Sequence, residues 1–68
     1  SDLEGGGEVV VAITVNRGGE VTAAKVVSGG DESMREAALD AAWKSLFNID
    51  MSAPERHNGM ITYLFIPQ

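Results

Sequence analysis

The stretch EVVVAITVN, residues 8 to 16, limits what this chain can become more than any other segment. It is β-branched at most positions, and its length suits a strand rather than a helix. Side chains alternate across a strand, so Val9, Val11, Ile13 and Val15 face one way while Val10, Ala12 and Thr14 face the other. Both faces are apolar enough for a strand in the middle of a sheet, with a neighbour on each edge. The chain has only 68 residues from which to supply those neighbours. A domain this small buries roughly 60% of the surface of its unfolded chain, which leaves one thin core and no room for a deep cleft.

The first neighbour follows directly. NRGG, residues 16 to 19, reads as a turn, because Asn16, Gly18 and Gly19 tolerate positive φ, and it predicts a hairpin with a loop of about three or four residues. EVTAAKVVS, residues 20 to 28, is then the second strand, with Val21, Ala24, Val26 and Val27 as its apolar members. Its alternation is broken, and a bulge is expected between Lys25 and Val27.

After Ser28 the period changes to that of a helix. Asp31 or Ser33 can cap it, and Ser33 and Glu36 stand at capping-box spacing. Asp31, Glu32 and Glu36 lie at the amino end, where the helix dipole favours acids, and the alanine-rich run from Glu36 to Ala42 is a strong helix former. Met34, Ala38, Ala42 and Phe47 share one side, with Leu39 and Ala41 at its margins, and the helix is expected to end near Asn48. Residues 48 to 59 read as a loop with Pro54 and Gly59 as breakers. The glycine-rich residues 1 to 7 read as a flexible lead-in of an excised domain, and residues 8 to 67 as a single domain.

GMITYLFIPQ closes the chain as a third strand, stopped by Pro67. Chain direction makes this strand antiparallel to the first and parallel to the second, so antiparallel pairing places it beside the first. The expected fold is α+β: a β-β-α-β chain forming a three-stranded antiparallel sheet in the order 2-1-3, with one helix packed on one face. The helix side then takes Ile61, Tyr63 and Phe65, while Met60, Thr62, Leu64 and Ile66 face away from it. The outer edge of this strand is left with unpaired N–H and C=O groups.

Little in the sequence points to catalysis. Ten acids stand against five bases, a formal charge of −5, which is opposite to the balance expected of a nucleic-acid binder. There are no cysteines, so neither disulfides nor a thiolate metal site can form. No apolar run approaches the ~20 residues needed to span a bilayer. The single histidine, His57, reads as a solvated loop residue, with no second histidine or cysteine to make a ligand set or a nucleophile–base pair. Gly29 and Gly30 lie between a strand and a helix, where free amides can hold an anion, but Asp31 and Glu32 beside them repel one. Trp43 and Leu46, one helical turn apart, either widen the core-facing stripe or close over the loop of residues 48 to 59, or else form an exposed apolar contact patch. No enzyme activity, metal or cofactor is expected.

With the elements placed, the sequence resembles the carboxy-terminal domain family of TonB energy transducers, in the form found in Bacteroidetes. GEVVVAITVNRGGEVTAAKVV resembles the family's hairpin, MREAALDAAWKSLFN its helix, and GMITYLF its final Gly-x-Ile-x-Tyr-x-Phe strand. The likeness runs from about residue 7 to residue 66. It departs where Trp43 and Leu46 replace residues that are usually basic, and in the absence of the Tyr-Pro segment before the first strand. The resemblance implies a periplasmic domain of a parent protein anchored to the inner membrane and driven by a proton-channel complex. Its partners would be TonB-dependent outer-membrane transporters, whose short TonB box adds as a strand to the last strand of the sheet. Met60, Ile61, Thr62, Tyr63, Leu64, Phe65 and Ile66 are the partner-binding residues so implied, chiefly through their backbone. A sensor or regulator domain of the same fold, not serving transport, is the alternative. The apolar face away from the helix is left for the missing upstream segment, for the partner, or for a second copy in a homodimer of the truncated domain.

Overall fold

The computed structural model describes residues 7–52 and 54–66. Its elements are β1 (Gly7–Asn16), β2 (Val21–Gly29), α1 (Glu32–Lys44) and β3 (Arg56–Phe65). The strands form one antiparallel sheet in the order β2-β1-β3 with the helix on one face, which is the expected α+β layout. Residues 1 to 6 of the expected lead-in and Pro67 lie outside the described residues. Gly7, also assigned to that lead-in, instead opens β1 opposite Phe65.

The alternation of β1 decides where the core lies. Val9, Val11, Ile13 and Val15 are buried and, with Val21, Ala38 and Ala42, make up the core. Ala38 and Ala42 lie one turn apart on α1, and their small side chains let the helix backbone sit close to the sheet. The helix lies over β2 and β1 and barely touches β3. Ile61, Tyr63 and Phe65 face the helix side as expected, yet remain only half-buried because the helix axis is displaced away from them.

The hairpin between β1 and β2 closes with Gly19 N–H donating to the Asn16 carbonyl and Asn16 N–H to the Glu20 carbonyl, each at 3.0 Å. Val11 pairs with Val26 and Val10 with Ser28, which leaves Val27 unpaired in a bulge where the sequence predicts one. A second bulge follows at Thr22, since Thr14 pairs with Ala23 and Val15 with Val21.

Both ends of α1 correct the sequence reading in detail. Asp31 is the cap, its carboxylate accepting from Met34 N–H at 2.8 Å. Ser33 therefore lies inside the first turn, and the Ser33–Glu36 spacing does not act as a capping box. The helix stops at Lys44 rather than near Asn48. Ser45 turns extended at ψ 143°, Leu46 bridges to Glu20, and the Phe47 amide donates to the Gly19 carbonyl at 2.8 Å. Asp50 N–H continues the pattern, donating to the Arg17 carbonyl at 3.0 Å. The chain exchanges its last helical hydrogen bonds for pairing with the hairpin turn, so Phe47 is not part of the helix stripe.

The third strand begins earlier than the sequence suggests. β1 extends to Asn16 and offers partners to residues expected in the loop: Asn16 pairs with Arg56, Val15 with His57 and Thr14 with Asn58. Thr14 Oγ1 adds a hydrogen bond of 3.1 Å to Asn58 Oδ1. His57 and Gly59 are strand residues, not a loop residue and a breaker.

Candidate functional site

The sheet has two free edges, and they differ. An exposed strand edge is a template for pairing with another chain, and proteins blunt it with bulges, prolines and charges. The β2 edge carries two bulges and Lys25. The β3 edge carries none of these beyond its first residue. Its 10 residues pair with β1 without a register shift, and from His57 to Phe65 they include no proline, acid, lysine or arginine. No strand lies beside its outer row of N–H and C=O groups among the described residues.

All seven residues expected to bind a partner fall along this edge, Met60 to Phe65 in β3 and Ile66 directly after it. Met60 and Leu64 are 67% and 68% exposed on the face away from the helix, and Ile66, just past the strand, is 73% exposed. Beside them in β1 lie Ala12, paired with Met60, and Val10, paired with Thr62. An open depression of about 470 Å³ lies on this face between β2 and β3, floored by Ala12 and Thr14 and bordered by Ala23, Lys25, Asn58 and Met60. A strand added to β3 would meet apolar side chains on both faces at once.

No protein-family model, curated protein or solved structure matches this chain.

The other residues singled out in the sequence lie elsewhere. Trp43, in the last turn of α1, is 50% exposed, and Leu46, after it, is 80% exposed. Neither joins the core; with Ile49 and Met51 they are exposed apolar side chains at the carboxy end of the helix and beyond it. Gly29 and Gly30 both adopt positive φ. A Cβ on Gly29 would overlap the Glu8 carbonyl oxygen, so this glycine is accounted for by the close approach of two strands, and the Arg35 guanidinium donates to the Gly30 carbonyl. Among the described residues no three His, Asp or Glu side chains gather as a metal site.

Sequence reasoning missed a second feature of the edge. On the helix side of the sheet, beyond the end of α1, an apolar cavity of about 200 Å³ lies over Gly59, between Phe47 and β3. The signal in the sequence is a glycine followed by an apolar strand, and it reads as a breaker because the reach of β1 is not legible there.

Proposed function

We propose that this chain is a non-enzymatic peptide-binding domain that accepts an extended segment of another protein as a fourth strand along the outer edge of β3. The observation that carries the reading is the asymmetry of the two edges: β2 is bulged, whereas β3 is regular, uncharged beyond Arg56 and open. In β-augmentation main-chain hydrogen bonds give affinity, and the alternate side chains give specificity. The sequence resemblance supplies the setting. In it the domain is periplasmic, belongs to a parent anchored in the inner membrane and coupled to a proton-channel complex, and grips the TonB box of outer-membrane transporters.

Such a grip suits the transmission of force. A strand pulled along its own axis loads several backbone hydrogen bonds in shear at the same time. Each contributes only about 1 kcal/mol net, so a modest equilibrium affinity is compatible with high resistance to pulling.

The test is an amide shift titration of the domain with a synthetic peptide carrying a TonB box. Shifts gathered from Met60 to Ile66, with the turn from Gly29 to Glu32 unmoved, are the expected result. A monomeric, folded domain whose β3 amides do not respond would refute the reading.

A further inference from the structure

We infer that the strand taken up by β3 carries a bulky apolar side chain at the position beside Gly59, seated in the cavity that this glycine leaves open on the helix side of the sheet. The inference rests on edge pairing at β3 and adds what that pairing selects.

The cavity of about 200 Å³ is lined by Ile13 and Val15 of β1, by Phe47, and by His57 and Ile61, which flank Gly59 on the same face of β3. It exists because α1 stops at Lys44 and lies over β2 and β1. Past that point Phe47 is the residue that lines the cavity among the described residues of the segment after the helix, and its backbone is held by the bond to Gly19. The cavity is a consequence of where the helix ends.

Nothing in the backbone or the packing requires glycine at position 59. It is not among the glycines of positive φ. A Cβ built there would lie 3.9 Å from Ile13 Cγ1, an ordinary contact, with no other heavy atom of the described residues within 4 Å apart from its two chain neighbours. Glycine weakens the interior of a strand and often marks a bulge, a tight bend or a place where a ligand or another backbone approaches; the pairing of β3 with β1 runs through Gly59 without a register shift. Residues side by side on neighbouring strands share a face, with Cβ atoms ~4.5–5.5 Å apart. A partner side chain beside Gly59 therefore points to the helix side and, meeting no Cβ, can lean across the glycine onto Ile13. Aromatic side chains cover edge glycines in this manner.

Charge indicates what kind of chain the occupant is. Arg56, at the start of β3, is exposed and has no ion pair among the described residues. It lies three positions from Gly59 and on the opposite face, so a carboxylate three positions from the bulky residue would meet it. A second copy fits less well. Antiparallel pairing of two β3 strands about Ile61 sets Tyr63 beside Gly59, but it sets Arg56 beside Ile66 and brings together two chains of charge −5. The complementary occupant is an extended segment of a different protein, apolar at its centre and acidic three residues away.

The probe is the capped peptide Glu-Val-Thr-Phe-Thr-Val-Glu, compared with the same peptide carrying alanine at its centre. The sequence is palindromic, so parallel and antiparallel docking present the same residues. Amide shift titrations give both the site and the Kd. The phenylalanine peptide should bind on the order of 10-fold more tightly, with its ring showing nuclear Overhauser contacts to the methyls of Ile13 and Val15. Gly59→Leu, which fills the cavity from within, should abolish the difference between the peptides, and Phe47→Ala, which removes a wall, should reduce it. Equal affinities, with shifts still confined to β3, would overturn the cavity's role and leave edge pairing standing. Absence of shifts on β3 with either peptide would overturn edge pairing and this inference together. A dimer in sedimentation that Tyr63→Ala dissociates would assign the cavity to a second copy instead.

Discussion

The Phe47 amide donates a 2.8 Å hydrogen bond to the Gly19 carbonyl, and this bond ties the segment after the helix to the turn between β1 and β2. It also sets the position of Phe47, and through it the shape of the cavity beside β3. Gly19 has φ +83°, and a Cβ there would overlap the Phe47 carbonyl oxygen.

Gly19→Ala should therefore be costly for two reasons that act together, the positive φ and the clash with Phe47. A loss of about 1–3 kcal/mol is expected, read as a shift of the urea midpoint with little change in m-value. Gly18→Ala makes a suitable contrast, because its φ is not positive and a Cβ there meets, among the described residues, the Asn16 and Glu20 side chains rather than backbone. Equal losses at the two positions would show that the Phe47 contact is unimportant.

The two faces of β1 should differ in the same experiment. Val11 is fully buried and Val10 only half so. Val11→Ala removes two buried methyl groups and leaves a void against Ala38 and Ala42, for a loss of about 2 kcal/mol. Val10→Ala should lose less than half as much. Comparable losses would mean that the face away from the helix is covered in solution.

Much of this was legible in the sequence, and the parts that were not have a common cause. The alternation from Val9 to Val15 identifies the central strand and its buried face, and the broken pattern between Lys25 and Val27 locates a bulge. These are short-range signals. The sequence places the helix end too late because the run to Phe47 is helical by composition, whereas the competing bonds come from Gly19 and Arg17, about thirty residues earlier in the chain. The sequence places the start of β3 too late for the same reason. Arg56, His57 and Asn58 have no strand signature of their own and are ordered by pairing with Asn16, Val15 and Thr14. The open edge could be read from the strand order. The cavity over Gly59 could not, since it depends on where the helix stops.

The choice between two cap residues can be settled by substitution. Asp31 accepts from Met34 N–H and lies at the positive end of the helix dipole. Asp31→Ala should cost about 1 kcal/mol, while Ser33→Ala should stay within about 0.5 kcal/mol. Thermal unfolding resolves the difference, because 1 kcal/mol moves Tm by about 4–8 °C in a domain of this size. A larger loss at Ser33 would place the cap two residues later.

The asymmetry of the edges gives the most direct test of where a partner adds. Leu64 is 68% exposed, so Leu64→Lys removes little buried surface and should change stability by no more than about 0.5 kcal/mol. It places on β3 the kind of charge that blunts an edge strand and removes an apolar side chain that an added strand would pair with. Peptide affinity should fall by about 1 kcal/mol, roughly fivefold. Ala23→Lys applies the same change to β2, at an exposed position on the same face of the sheet, and should leave peptide affinity unaltered. If the β2 variant weakens binding as much as the β3 variant does, the effect is one of overall charge or of the shared face, and addition at the edge of β3 is wrong.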